Sequence, residues 1–365
     1  MYLGDFSKGK ENNLNLIRFL AAFSVLISHS FPLAMGTGTP EPLFSYTGMT
    51  LGEVAVDIFF IISGFLVTGS LMLRKDSVEF ILSRILRIYP ALIIVTLITV
   101  FGLGGMFTSI PLDIYLTDNQ TLRYVYKNIT MITGGAYYLP GVFINNPFPY
   151  SVNGSLWTLA WELNMYVILV GIWIILKPLQ KKREQYFKVV IIFLACTGML
   201  MFQFNSSYEK LSRFIYLFFA GSAYFVLRKH IKLSKSITFL FIILVFVSVF
   251  IDKNIFKIVF SLTMPYILLY ISYVPSGFIR KFNNFGDYSY GIYIYAFPVQ
   301  QSIAAMIPGI SVFNLACLAS CITFLFSWIS WEFIEQPVLN NKKNLAIKLK
   351  DFLQKIYKLR FHFSW

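Results

Sequence analysis

Charge is scarce in this chain of 365 residues: only 13% are Asp, Glu, Lys or Arg, while 57% are hydrophobic and the mean hydropathy is +0.66. A soluble domain of this length cannot cover its surface with so little charge, so the composition excludes that class and indicates a polytopic membrane protein. Acidic residues are the scarcer sign, 17 against 31 basic, which leaves a formal net charge of +14. In a polar chain such an excess suggests nucleic acid. Here the basic residues alternate with long apolar runs and no nucleic-acid motif is present, so no nucleic-acid partner is expected. Cysteine is nearly absent. Cys196, Cys317 and Cys321 all fall within apolar runs, which excludes a secreted disulfide framework and a zinc site, and no metal is expected.

Hydropathy marks about ten spans of roughly twenty residues, the length that crosses ~30 Å of hydrocarbon. They cover 13–33, 51–73, 89–108, 155–176, 186–204, 211–227, 236–251, 255–273, 286–306 and 311–333. The fold class expected is an all-α polytopic bundle, with a membrane domain over 12–340 and a basic amphipathic tail over 341–365. Alternating from an N-terminus inside leaves only Arg123, Lys127, Lys210, Arg213, Lys253 and Lys257 of the basic residues outside. The positive-inside rule therefore places both termini in the cytoplasm, Lys8, Lys10 and the tail through Arg360 included. The first span reads as an uncleaved signal anchor, because Arg18 interrupts its apolar run and a second span follows. VEFILSRILRIYP and NLAIKLKDFLQKIYKLR have the periodicity of helices lying on the membrane. The Tyr-, Pro-, Asn- and Gly-containing stretch 109–154 is long enough to cap an outward-facing cavity. No internal repeat of the transporter kind is evident.

Within NLIRFLAAFSVLISHSFPLA, eleven steps of ~1.5 Å and about 100° put Arg18 and His29 roughly 16 Å apart on nearly one face. Ionisable groups at membrane depth are costly and mark function, and His suits proton transfer near neutral pH. Asp57 and Glu162 fall at depths similar to that of His29, where a carboxylate on one ring nitrogen would raise the basicity of the other and make a general base. The bland alternative is a histidine that only fixes helix packing. His230 and His362 lie in basic segments and read as surface residues.

On the inner side, Arg84 and Arg87 stand at i and i+3, so both guanidinium groups can meet one polyanion such as a phosphate. Snorkelling to lipid headgroups is the alternative. In NGSLWTLAWELNMY, Asn153 and Ser155 precede Trp157 and Trp161, an aromatic wall near Glu162 that suits a sugar ring; an interfacial aromatic belt explains the same tryptophans. GDYSYGIYIYAFP brings Asp287, Tyr290 and three more tyrosines to the ninth span, and SWEFIEQP carries Glu332 and Glu335. These line a donor entrance or pair with arginines.

In order and spacing, these motifs, with VDIFFIISGFLV around Asp57, Ser63 and Gly64, resemble the acyltransferase 3 family of integral membrane O-acyltransferases over roughly residues 12–340. The resemblance implies transfer of an acyl group, usually acetyl, from cytoplasmic acyl-CoA to a hydroxyl of an extracytoplasmic or lipid-linked glycan, in a bacterial cytoplasmic membrane. It implies His29 as catalytic base with Arg18 in support, and Arg84 and Arg87 on the donor's phosphates, with Arg18 and Tyr290 beside them. Asp57 and Glu162 complete the catalytic set expected here, and Asn153, Ser155, Trp157 and Trp161 the acceptor set. Leu163 stands where many relatives carry a second acid. With only about 30 residues after the tenth span, no added hydrolase-like domain is expected, and transfer is direct or through an acyl-enzyme on His29 or a serine. Partners implied are acyl-CoA, a cell-surface glycan of the O-antigen, capsule or exopolysaccharide kind, and membrane lipids. The rival classes are a transporter or flippase of a lipid-linked glycan and a glycan polymerase or ligase.

Overall fold

The computed structural model describes residues 2–6, 11–204 and 209–362. Lys8 and Lys10 lie outside these residues, as do the side chains of Lys355, Lys358, Arg360 and His362. Eleven longer helices carry the fold: α1 (Leu14–Met35), α2 (Leu51–Arg74), α3 (Ser77–Leu97), α4 (Trp157–Ile175), α5 (Arg183–Phe204), α6 (Glu209–Val226), α7 (Lys235–Val249), α8 (Lys253–Tyr273), α9 (Ser289–Met306), α10 (Val312–Ser330) and α11 (Lys342–His362). Among the described residues there are isolated β-bridges but no strand.

Each expected span falls on a helix, yet among the described residues seven helical segments, not ten, are long and apolar enough to cross a membrane. The three that miss them do so for visible reasons. The helix α6 carries Glu209, Lys210 and Arg213, α7 has only 15 residues, and α9 is made polar by Tyr290, Tyr293, Tyr295, Gln300 and Gln301. Two of these three lie in the interior, with Phe218, Phe219, Ser222, Gln300 and Gln301 buried. Their polar groups face neighbouring helices, where hydrogen bonds offset their cost.

The surface helix expected over 78–90 is continuous with the span that follows it. Helix α3 runs without a break into a π-helical stretch at Ile98–Gly104 and on to Phe107, a single segment Ser77–Phe107. Asp76 caps its start, accepting from the backbone N–H groups of Val78 and Glu79 at 3.0 and 3.1 Å. The wide turn has an identifiable cause: Tyr115 donates to the Val100 carbonyl at 2.9 Å, and a Cβ on Gly104 would lie 1.8 Å from that hydroxyl.

Helices α2 and α6 cross with their backbones in close contact. A Cβ on Gly64 would sit 1.9 Å from the Phe218 carbonyl oxygen, and one on Gly221 2.0 Å from that of Ile61. Only hydrogen fits at both positions, the small-residue crossing by which membrane helices gain van der Waals contact. Thr68 donates to Ser222 at 2.8 Å across the same contact. On the other flank Gln300 of α9 donates to Ser30 at 2.7 Å and to the Leu26 carbonyl at 2.8 Å, fixing α9 against α1. Helix α11 docks on the start of α3 through Lys350 and Asp76.

Candidate active site

The C-terminal end of α1, the N-terminal ends of α2, α4 and α6, Tyr293 near the start of α9 and residues 38–44 enclose a cavity of about 560 Å³, called here the outer cavity after the side expected from the sequence. His29, Ser28, Glu53, Trp157, Arg213 and Tyr293 lie in its wall. The segment 109–154, expected as its cap, contributes no lining residue; it folds on its own core of Tyr115, Tyr124, Val142 and Phe143, and Gly38, Thr39, Pro40, Glu41 and Phe44 do the capping. The His29 ring stands edge-on to Phe297, centroids 5.3 Å apart, and its Nδ1 is buried without a hydrogen-bond partner.

Among the described residues no carboxylate hydrogen-bonds to His29, the arrangement its depth suggested. Asp57, 2% exposed, accepts from the Arg213 guanidinium at 2.9 Å, and the same guanidinium reaches Glu53 at 3.4 Å. A buried carboxylate is stable as an ion only when paired, and the close α2–α6 crossing supplies that pair. Glu162 lies deeper than expected. It accepts from Ser63 at 2.9 Å and from Tyr166, whose hydroxyl is 2.7 Å from Ser63.

At the opposite end of these helices Asp287 is shared. Arg18 Nη1 and Arg87 Nη2 both reach its Oδ2 at 2.7 Å, and Ser289 donates to Oδ1 at 2.6 Å. Arg87 also donates to buried Glu335 at 2.6 Å, and its guanidinium lies 5.5 Å from the ring centroids of Tyr290 and Trp331. Tyr290 itself donates to the Ile88 carbonyl at 2.8 Å. Arg18 is thus tied to Asp287 and makes no contact with His29. Arg84 has no carboxylate within ion-pairing distance among the described residues; its Nε is 3.4 Å from Ser83 Oγ and its guanidinium 6.0 Å from the Tyr166 ring centroid.

Two small cavities lie between the ends. One, about 50 Å³, is bounded by Val56, Phe59, Glu162, Tyr290, Tyr293 and Arg18, and shares Val56 and Tyr293 with the outer cavity. The other, about 70 Å³, takes in Ser63, Arg84, Arg87 and Tyr166 and shares Arg18, Phe59, Glu162 and Tyr290 with the first. A series of common walls therefore runs from His29 to the Arg84/Arg87 pair. Tyr293 is pinned in it by Thr158 and by donating to the Ser155 carbonyl at 2.9 Å.

Of the acceptor set, Trp157 alone lines the outer cavity. Trp161 packs on Phe214 at 5.9 Å between centroids and lines none of the three cavities. Asn153 and Ser155 are buried behind Tyr293, where Asn153 donates to the Ile294 carbonyl at 2.9 Å, while Asn153 Oδ1 and Ser155 Oγ have no partner. Lys210, Arg213 and Tyr293 were not singled out from the sequence. The signal for Arg213 was a cation inside an apolar run, and for Tyr166 its i+4 spacing from Glu162.

Apolar helices around a line of cavities carrying ionisable groups define a multi-pass membrane protein. The chain belongs to the acyltransferase 3 family, whose acyltransferase domain matches residues 11–332, and it is an acyltransferase. It is similar to the O-acetyl transferase of Shigella phage Sf6, with 29% identity over 341 residues that cover 90% of this chain and 96% of that one. It is also similar to Nodulation protein 10 of Rhizobium leguminosarum bv. viciae, with 33% identity over 186 residues, 46% of this chain and 47% of that one. No solved structure matches it.

Proposed function

We propose that the protein moves an acyl group, acetyl as the phage relative's name indicates, from acyl-CoA at the inner arginines to a hydroxyl of a cell-surface or lipid-linked glycan in the outer cavity. The observation that carries this reading is the series of shared walls joining His29 to Arg84 and Arg87. In the proposed reaction His29 takes the proton of the acceptor hydroxyl, the oxygen attacks the thioester carbonyl, and CoA leaves as a thiolate that is then protonated. Arg84, with no carboxylate on it, meets a donor phosphate, and Tyr290 and Arg18 flank the pantetheine arm. Arg87, already neutralised by Asp287 and Glu335, sets the shape of that site, and Glu162 with Ser63 and Tyr166 lines the path of the acyl group. Asp57 acts by holding Arg213 in the wall of the acceptor cavity. Trp157 offers an aromatic face to a sugar ring.

The proposed topology has about ten helices crossing a bacterial cytoplasmic membrane, both termini inside. The small number of basic residues outside supports it, as does the alternation of helix ends: those of α1, α2, α4 and α6 that meet at His29 are the ends assigned outside. Membranes incubated with radiolabelled acetyl-CoA and glycan test the reaction. Label in the glycan, lost in a His29→Ala protein that inserts normally, is the expected result. Wild-type labelling by that variant overturns the role of His29, and glycan crossing proteoliposomes without label transfer selects a transporter.

A further inference from the structure

A second cavity of about 560 Å³, as large as the one at His29, lies in the outer segment between the helix Asn119–Thr130 and residues 135–138. We infer that it binds an acidic stretch of the acceptor glycan, away from the acylation centre; this rests on the proposed transfer to a glycan.

The helix has three distinct faces. Thr121, Tyr124 and Asn128 are buried in the segment's core, Leu122 and Tyr126 are exposed, and Arg123 and Lys127 stand one turn apart facing the groove. Asn119, Gln120, Tyr137 and Tyr138 complete its walls. Its one carboxylate, Asp118, is occupied in capping the helix, accepting from the Gln120 N–H at 2.6 Å. Neither Arg123 nor Lys127 makes an ion pair among the described residues, and both lie on the side where the chain places few cations.

The groove is built in advance. Asn128, fully buried, donates to the Ala136 carbonyl at 3.0 Å and accepts from its N–H at 2.9 Å, holding the opposite wall. A Cβ on Gly135 would come within 3.1 Å of Asn128 Oδ1, so the wall lies tight against the helix. Val152 donates to the Tyr137 carbonyl at 2.6 Å behind it. Two uncompensated cations, two amide side chains and two tyrosine rings match a sugar bearing a carboxylate or phosphate. Guanidinium and ammonium take the anion, amides the hydroxyls, and ring faces the C–H surface. A lipid headgroup carries the same negative charge, but the helix's apolar residues Leu122 and Tyr126 lie on a different face from the cations.

The test is calorimetric binding to the purified full chain with no acyl donor present, so that failure of acyl transfer leaves the readout untouched. The probes are an oligogalacturonate, a maltooligosaccharide of equal length and phosphatidylglycerol vesicles. Wild type binds the acidic probe more tightly, and the double variant Arg123→Ala/Lys127→Ala weakens that binding roughly tenfold or more without changing the neutral one. The conservative pair Arg123→Lys/Lys127→Arg retains most of the affinity and controls for folding. Equal binding of the two probes by wild type overturns the inference, as does an unaltered acidic affinity in the double variant. Loss confined to phosphatidylglycerol vesicles would assign the groove to lipid and overturn it as well.

Discussion

Arg84 and Arg87 share one face of α3, and only Arg87 is held by carboxylates, Asp287 at 2.7 Å and Glu335 at 2.6 Å. Two residues that look equivalent in sequence therefore have different work. Removing Arg87 leaves two carboxylates without their shared cation and is expected to destabilise the fold by about 3–5 kcal/mol. Arg84→Ala breaks no ion pair, so it should leave the melting temperature within a few degrees of wild type while weakening acyl-CoA affinity about tenfold. Thermal melting in detergent beside donor titration separates the two. Equal loss of stability in both variants would contradict the assignment.

Asp57 and Arg213 form the corresponding pair at the outer end, with the carboxylate almost fully buried. Asp57→Ala is expected to cost about 3–5 kcal/mol, because it strands a guanidinium between α2 and α6. Arg213→Met in the Asp57→Leu background should recover much of that loss, since an apolar pair of similar volume carries no unpaired charge. A double variant no more stable than the single one would show that the pair does not carry the contact.

The cavities between the ends are small, about 50 and 70 Å³, with Phe59 in the wall of both. Phe59 meets Tyr293 edge-on at 5.9 Å. Room for an acetyl group but not for a long chain is the expected consequence. Phe59→Ala should extend the donors used from acetyl-CoA to butyryl-CoA, measured as label transferred per mole of protein. An unchanged donor range would remove Phe59 from the path of the acyl group.

Between α2 and α3, the Lys350 ammonium on Asp76, with the Val78 and Glu79 N–H groups, holds the Asp76 carboxyl below the usual aspartate range. A carboxyl lowered in the folded state contributes its contacts above its unfolded value, about 3.9, and loses them as pH falls through the lower folded one. Docking of α11 should therefore be constant from about pH 5 to 8. Asp76→Asn should speed tryptic cleavage at Lys348 and Lys350 across that whole range. Cleavage that rises in wild type between those pH values would rule out this contact as the anchor.

Much of this arrangement was legible before any tertiary structure. Hydropathy located nine of the ten expected spans to within a few residues of their helices, because the length that crosses a bilayer and the apolarity it needs are local properties. Arg18, His29, Arg84 and Arg87 stood out because a charge in an apolar run is visible in one dimension. The start of α3 was not legible in this way: basic residues at helical spacing read as a separate interfacial helix, and only the tertiary structure shows that the turn carrying Arg84 and Arg87 continues into the apolar helix, with Ile88 against α9 and Asp76 against α11.

Sequence alone determined that the chain is an apolar helical protein with cations toward one end and an imidazole toward the other, since depth follows from counting residues along a helix. Which groups meet was decided by the tertiary structure. Asp57 finds Arg213 across 156 residues, and Asp287 gathers Arg18 and Arg87 from two other helices. Such pairings depend on which helix faces come together, and for Asp57 and Arg213 the crossing rests on Gly64 and Gly221, where the absence of a side chain brings two backbones into contact.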